Sequence, residues 1–212
     1  MKILILGATG RTGNLVCREA LSRNYEVKAI VRNKDKIGIS GIECYEGVPT
    51  DETLIKKAIK NVDAAVCCLN ISRKSEFPWA KLIAPETLIS DSIKALIKVM
   101  EEENIKRIVT ISAWGAEESL PQLKWIFRLL IKYSNIQLGF NDHNRQEKIL
   151  KQSALDWTIV RPVFLNNNDS SNYQVTDKNP VKIGVSRKAV AKFIVDVLDK
   201  NLFIKEKPII YQ

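Results

Sequence analysis

A glycine-rich segment near the start of the chain has the residue types and spacing to bind a phosphate-containing ligand. Gly7, Gly10 and Gly13 are spaced G-x-x-G-x-x-G within GATGRTG, between a short apolar run and a helical pattern. In that context the glycines allow a tight turn, a close approach of the backbone to a pyrophosphate and close helix–strand packing. The free N–H groups at the start of the helix favour a phosphate. The segment therefore predicts a dinucleotide site rather than a bare turn.

The end of the second apolar run indicates which dinucleotide binds. An acidic side chain there is typical of NAD sites, whereas arginine suits the 2′-phosphate of NADP. Here the run ends Val31-Arg32, with no acid at position 32. Arg32 offers a bidentate fork for phosphate, and Arg11 lies in the glycine segment. The sequence predicts NADP(H) in preference to NAD(H), with solvated loop charges as the alternative for these residues.

Strand-like runs alternate with helical periodicity along most of the chain. Strands are predicted at 2–6, 26–31, 42–46, 64–69, 107–112 and 157–160, and helices at 12–23, 51–59 and 85–103. This alternation is typical of βαβ units, which form an α/β, doubly wound parallel sheet with helices on both faces.

The pattern weakens after residue 160. A loop is predicted at 166–172, short strands at 173–176 and 181–184, a helix at 187–200 capped by Ser186, and a strand at 208–211. We expect one domain over 1–212, with the core sheet in about 1–160 and a small substrate-side appendage in about 161–212.

Composition and charge narrow the class of protein. The 212 residues include 33 basic and 24 acidic side chains, a net charge of +9, and 45% are apolar. Because the lysines are spread along the chain, a site for an anionic ligand is favoured over nucleic-acid binding.

Four cysteines and one histidine without metal-ligand spacing predict no metal site and reduced thiols in a cytoplasmic protein. The first apolar run is too short for a signal peptide or a membrane span, so no membrane partner is expected.

Four segments together resemble a known family. GATGRTG, VRN after the second strand, TISAWG at the fifth and LDWTIVRP at the sixth are similar to the atypical short-chain dehydrogenase/reductases. The nearest branch is the NmrA-like group that includes biliverdin-IXβ (flavin) reductase, and the resemblance covers nearly the whole chain. It implies a single Rossmann domain that binds NADP(H).

Pattern and resemblance together give a set of cofactor-binding positions. Val48 stands where relatives usually have an aspartate that reaches the adenine edge, so that hydrogen bond is lost here. The predicted cofactor-binding residues are Gly7, Thr9, Gly10, Arg11, Thr12, Gly13, Arg32, Lys36, Val48, Leu69, Asn70, Ile71, Ser112, Ala113, Pro162 and Val163.

The superfamily's usual proton-transfer pair is missing. No tyrosine is followed by lysine four residues later, so a Tyr-x-x-x-Lys pair cannot act. This favours hydride transfer to an acceptor whose product anion is delocalised. The catalytic candidates are Ser112, which matches the family serine at the end of the fifth strand, and His143. We predict that His143 opens a helix capped by Asn141 or Asp142; a structural role is favoured for it, and proton donation from a pKa near neutrality is the alternative.

Two aromatic residues and one helix are candidates for contacts with a substrate or partner. Trp114 and Phe164 are predicted to contact a small planar redox substrate, with core packing as the alternative for Trp114. In LKWIFRLLIKY, residues 123–133, basic residues form a narrow stripe on an otherwise apolar helix. A lid, an oligomer contact and a membrane-surface helix stay open, and packing against the body or a second copy is preferred.

These observations lead to one main hypothesis and two alternatives. The main hypothesis is an NADP(H)-dependent oxidoreductase, monomeric or homodimeric, that passes hydride to a flavin, quinone or similar conjugated acceptor. The first alternative is a non-catalytic redox sensor of the NmrA type. The second, nucleic-acid binding, is supported only by the net charge.

Overall fold

A computed structural model describes residues 1–212 and contains ten strands and six α-helices. The strands are β1 (Lys2–Leu6), β2 (Glu26–Val31), β3 (Ile42–Glu46), β4 (Ala64–Cys67), β5 (Arg107–Ile111), β6 (Asp156–Pro162), β7 (Phe164–Asn166), β8 (Gln174–Thr176), β9 (Gly184–Ser186) and β10 (Ile209–Tyr211). The helices are α1 (Arg11–Ser22), α2 (Glu52–Ala58), α3 (Leu88–Glu102), α4 (Trp125–Lys132), α5 (Ile136–Gln152) and α6 (Arg187–Asp199). Two 3-10 helices span Lys34–Lys36 and Glu117–Gln122.

The main sheet has eight strands in the order β3-β2-β1-β4-β5-β6-β10-β8. Neighbouring strands are parallel except for β8, which runs antiparallel to β10. The strand order changes direction between β1 and β4, and in such sheets ligands bind beyond the carboxyl ends of the strands at that point. The predicted doubly wound parallel sheet is confirmed.

Helices cover both faces of the sheet, which explains why its central strands are continuous apolar runs. On one face α1 packs against α6, and on the other α3 packs against both α2 and α5. The guanidinium of Arg23, just after α1, pairs with Asp196 and Asp199 of α6 at 2.7 and 2.5 Å. Cys17 and Cys67 are buried within these layers, and all four cysteines are free thiols.

Ser186 caps α6 as predicted, but the helix expected to start after Asn141 or Asp142 starts earlier. The hydroxyl of Ser186 accepts the N–H of Ala189 at 2.9 Å. In contrast, α5 begins at Ile136, so the prediction of a cap at 141 or 142 is wrong. Residues 136–140, which are mostly apolar, form the beginning of α5. They precede the polar run that suggested a helix start.

Asp142 instead caps a different helix. Its fully buried carboxylate accepts the N–H groups of Ile89 and Ser90 at 2.7 and 3.3 Å, at the start of α3. The residue before α3, Thr87, makes no side-chain capping bond. Asp142 therefore supplies the cap and the negative charge that the α3 N-terminus needs, across a helix–helix contact. The helix predicted from residue 85 accordingly starts at Leu88.

Candidate cofactor and active site

The glycine segment forms the turn from β1 into α1, at the carboxyl edge of the sheet. Gly7 has φ +84°, and its carbonyl accepts the N–H of Gly10 at 3.0 Å. A Cβ atom on Gly13 would lie 2.2 Å from the Gly7 carbonyl oxygen, and one on Gly7 would lie 2.8 Å from the Cys68 backbone. Gly10 precedes α1 and provides no side-chain cap, so the first N–H groups of α1 remain available to a phosphate. These features fit a dinucleotide pyrophosphate.

Two arginines border this turn, of which one pairs with a carboxylate and the other does not. The guanidinium of Arg11 is 2.6 Å from the carboxylate of Glu76, in the loop after β4. That hydrogen bond lowers the pKa of Glu76. Arg32, directly after β2, is exposed and has no ion pair, and Lys36 is exposed at the end of the following 3-10 helix. Arg32 is therefore free to receive a phosphate.

The loop after β4 lies against the same turn, and the loop after β3 contacts the end of β2. Gly47 donates its N–H to the Val31 carbonyl at 2.9 Å, which brings Val48 to the end of β2, with 53% of Val48 exposed. Leu69 follows Cys68 directly and is half-buried. Asn70 is exposed and Ile71 is buried. Apolar and amide groups thus follow β3 and β4, without an acidic side chain at position 48.

The ends of β5 and β6 run side by side on the other flank. The N–H of Ser112 donates to the Val160 carbonyl at 2.8 Å, and that of Trp114 donates to the Pro162 carbonyl at 3.0 Å. Ser112, Pro162 and Val163 are buried, whereas Ala113 is half-buried. These backbone contacts bring together the two segments that the resemblance assigns to the nicotinamide side.

A buried ionic network lies directly beneath Ser112. The hydroxyl of Ser112 donates to Glu147 Oε1 at 2.6 Å, and Arg161 binds the same carboxylate through Nε at 3.1 Å and a terminal nitrogen at 2.5 Å. Glu147 is 0% and Arg161 3% exposed. Arg161 also binds Glu118 at 2.8 and 3.2 Å, and Lys207 pairs with Glu118. Burial alone would raise the pKa of Glu118, but the bonds from Arg161 and Lys207 outweigh it and hold that pKa well below its ordinary value.

This network was not predicted as part of the site. Arg161 lies within the family motif LDWTIVRP but is not among the predicted site residues, and neither is Glu147. A signal was present, because an arginine inside the buried strand sequence WTIVRP requires a carboxylate partner.

The protonation of His143 follows from its neighbour Gln146. The Gln146 amide nitrogen donates to the Ile111 carbonyl at 2.9 Å and lies 2.8 Å from His143 Nδ1. A carbonyl can only accept, so this nitrogen is the NH₂ group and Nδ1 must be unprotonated. Burial lowers the pKa of His143 to about 4, despite the nearby charges of Glu147 and Asp142. The proton-donor alternative, with a pKa near neutrality, is therefore wrong, and His143 is a neutral imidazole with its proton on Nε2.

Acidification should destabilise the protein through His143. Its pKa is about 4 in the folded chain and about 6.5 unfolded, so the unfolded state binds the extra proton as pH falls from 6.5 to 4. We expect the free energy of unfolding from urea titrations to fall by about 2 kcal/mol between pH 7 and pH 5. The chain has one histidine, so His143→Gln should remove most of this difference. An equal pH dependence in wild type and variant would contradict the assignment.

The two predicted substrate aromatics differ in exposure. Trp114 is 9% exposed, and its indole N–H donates to Gln122 at 2.9 Å. It packs in the core with Leu123, so the core-packing alternative describes Trp114 and little of its ring is accessible to a substrate. Phe164 is 49% exposed, and its ring centroid is 5.0 Å from that of Phe127 in α4. Phe164 therefore offers an accessible apolar ring at the end of β6.

Comparison of the sequence with known proteins finds one family and several distant relatives. A family described as NAD(P)H-binding matches residues 7–201. The uncharacterised protein YwnB of Bacillus subtilis is 29% identical over 209 residues, which cover 94% of this chain and 92% of YwnB. The photosystem II assembly factor Ycf39 of Trieres chinensis is 28% identical over 178 residues, which cover 80% of this chain and 54% of Ycf39. The match therefore spans about half the length of Ycf39.

Solved structures share the fold at low identity. ChuY, an anaerobillin reductase from Escherichia coli O157:H7, superposes with a TM-score of 0.81 at 18% identity, over 99% of this chain and 96% of ChuY. A short-chain dehydrogenase/reductase from Veillonella parvula in complex with NADP gives a TM-score of 0.75 at 18% identity, over 100% and 94% of the two chains. The Rossmann fold, the glycine turn and the family match agree, and the chain belongs to the NAD(P)H-binding family.

Proposed function

We propose that this protein is an NADP(H)-dependent reductase that passes a hydride to a flavin, a quinone or another conjugated acceptor. One observation carries the proposal. The side chains that α5 presents to the end of β5 offer no free proton donor, because the Glu147 carboxylate accepts hydrogen bonds from Arg161 and Ser112, and His143 is a neutral imidazole. Acceptors whose reduced form delocalises its charge need orientation more than a strong acid, and water can supply their proton.

Different residues of the chain bind different parts of the dinucleotide. The N–H groups at the start of α1 hold the pyrophosphate and Arg32 holds the 2′-phosphate. The bound nicotinamide supplies the hydride. Ser112 donates its only hydroxyl proton to Glu147, so its oxygen acts as an acceptor toward the cofactor and not as a proton donor to the substrate.

Phe164 provides the apolar surface for the acceptor. About half of its side chain is exposed, and Phe127 supports the ring from α4. A planar conjugated molecule can stack on such a surface without a charged partner. The similarity of the fold to an anaerobillin reductase supports including linear tetrapyrroles among the acceptors tested.

Stopped-flow absorbance of NADPH tests the proposal. Wild-type protein is mixed with NADPH and then with flavins, quinones or linear tetrapyrroles. We expect oxidation of NADPH with at least one acceptor, at a rate that saturates with acceptor concentration. Tight NADPH binding without turnover on any acceptor would reject the reductase and favour the nucleotide-sensing alternative, which similar affinities for NADP⁺ and NADPH and recovery of a protein partner would support.

The preference for NADPH over NADH is expected to depend on Arg32. In Arg32→Gln the bidentate, charge-assisted bonds to the 2′-phosphate are lost, so NADPH affinity should fall roughly 10- to 100-fold while NADH affinity stays within about twofold. Isothermal titration calorimetry with both dinucleotides measures the ratio. Lys34→Gln removes an exposed charge two residues away and is the matched control. Equal losses in both variants would assign the preference to general charge rather than to Arg32.

A further inference from the structure

The outer face of α4 is apolar and uncovered. Trp125, Leu129 and Tyr133 follow one another at intervals of four residues and are 66%, 43% and 64% exposed, and the neighbouring Ile126 is 57% exposed. The opposite side of the helix packs on the core through residues such as Phe127. The predicted packing against the body therefore accounts for only one side of this helix.

The loop after β4 extends this apolar surface. The indole N–H of Trp79 donates to the Tyr133 carbonyl at 2.7 Å, and the rings of Phe77 and Trp79 lie 5.3 Å apart. Asn135 also donates to the Trp79 carbonyl at 2.9 Å, which fixes the loop against the end of α4. We call the combined surface the α4 patch; it consists of Phe77, Trp79, Trp125, Ile126, Leu129 and Tyr133. A contiguous exposed apolar surface of this kind marks an interaction site.

A row of positive charge runs beside the α4 patch. Lys124, Arg128 and Lys132 are exposed and also repeat every four residues, one position before the apolar row. Lys81 adds a further exposed charge from the loop. Residues 77–85 and 123–141 contain no aspartate or glutamate, so nothing within these segments neutralises the charge.

An apolar helix face suits either a second copy of the chain or a lipid surface. The charge distribution distinguishes between these two. In a two-fold dimer the same surface faces itself, so the basic row would lie near its own copy, and the segments that form the patch supply no carboxylate to pair with it. An anionic lipid surface instead complements the basic row, and tryptophan and tyrosine are suited to the boundary between headgroups and acyl chains. None of the helices has both the length and the apolar character to cross a bilayer, and α4 has only eight residues.

We propose that the α4 patch binds the surface of an anionic lipid bilayer, with α4 lying in the plane of the interface. The aromatic and aliphatic side chains enter the headgroup boundary, and Lys124, Arg128 and Lys132 bind lipid phosphates or carboxylates. This departs from the expectation of no membrane partner and takes up the membrane-surface alternative that the sequence of residues 123–133 leaves open. Binding of this kind requires neither cofactor nor turnover, so it is independent of the proposed reductase activity.

Vesicle flotation with the full chain tests the proposal. The protein is mixed with vesicles of phosphatidylcholine alone or with phosphatidylglycerol, at low and at physiological salt. We expect binding to the anionic vesicles only, weakened by salt. The triple variant Lys124→Gln, Arg128→Gln, Lys132→Gln should bind about 100-fold more weakly. The double variant Trp125→Ser, Leu129→Ser should also lose binding, because the apolar contact is removed.

A control of equal charge separates this site from general attraction by the net charge of +9. Lys57, Lys60 and Lys94 are exposed on α2, after it and on α3, and their triple glutamine variant removes the same three charges. It should keep nearly all vesicle binding, and all variants should keep the wild-type circular dichroism spectrum. Equal losses in both triple variants, no binding to anionic vesicles, or a wild-type dimer that the Trp125→Ser, Leu129→Ser variant dissociates would each overturn the proposal.

Discussion

Gly13→Ala is expected to weaken NADPH binding at least about 100-fold and to destabilise the chain by about 3 kcal/mol. The added Cβ would lie 2.2 Å from the Gly7 carbonyl oxygen and 2.8 Å from the Gly7 carbonyl carbon. Both are backbone atoms, and the same oxygen accepts the N–H of Gly10. The turn must therefore open, which moves the N–H groups at the start of α1 away from their phosphate-binding positions.

Gly139→Ala provides the matched control for this substitution. Gly139 lies within α5, and a Cβ there would meet no atom within 4 Å. Alanine at a helical position should stabilise the chain by about 0.5–1 kcal/mol and leave NADPH affinity unchanged. Calorimetric titration with NADPH and urea unfolding measure both effects. Wild-type NADPH affinity in Gly13→Ala would contradict the proposed role of the glycine turn.

Glu147→Ala is expected to lower the free energy of unfolding by about 3–5 kcal/mol. The substitution leaves the buried guanidinium of Arg161 with only the half-exposed Glu118, and it removes the acceptor of the Ser112 hydroxyl. A domain of this kind is stable by about 5–15 kcal/mol in total, so the loss should be visible as a large shift in the urea midpoint.

Two further variants show whether the buried pair causes this effect. Glu118→Ala removes a carboxylate that is 53% exposed and should cost less than about 1 kcal/mol. The double variant Glu147→Leu, Arg161→Leu removes both buried charges and should recover more than half of the loss. If Glu118→Ala and Glu147→Ala destabilise the chain equally, burial of the pair is not the source of the effect.

The sheet could be predicted from sequence because its signals are local. The central strands are continuous apolar runs followed by glycine or polar residues, and β1 at 2–6 and β2 at 26–31 begin and end where the pattern indicates. Two short strands near the C-terminus also lie within one residue of the predicted 173–176 and 208–211, but the strand expected at 181–184 lies at Gly184–Ser186. Three-residue strands of this kind depend on pairing partners, and β9 pairs with β7 twenty residues earlier.

The candidate site was predictable only where one segment contains the whole motif. The glycine turn is such a segment, whereas the environments of Asp142, His143 and Glu147 depend on contacts with α3, β5 and β6. From sequence, Asp142 resembled a local cap and His143 a titratable acid. In the structure Asp142 caps α3, which is distant in sequence, and burial lowers the pKa of His143.

The packing of α1 against α6 has a consequence for synthesis of the chain. The first helix of the protein completes its contacts only with residues 187–199, and Arg23 acquires its partners Asp196 and Asp199 there. During translation one face of the early βαβ units stays without its cover until residues 187–199 have left the ribosome. Nascent chains that stall before α6 should therefore expose the apolar side of α1 and become substrates for chaperones.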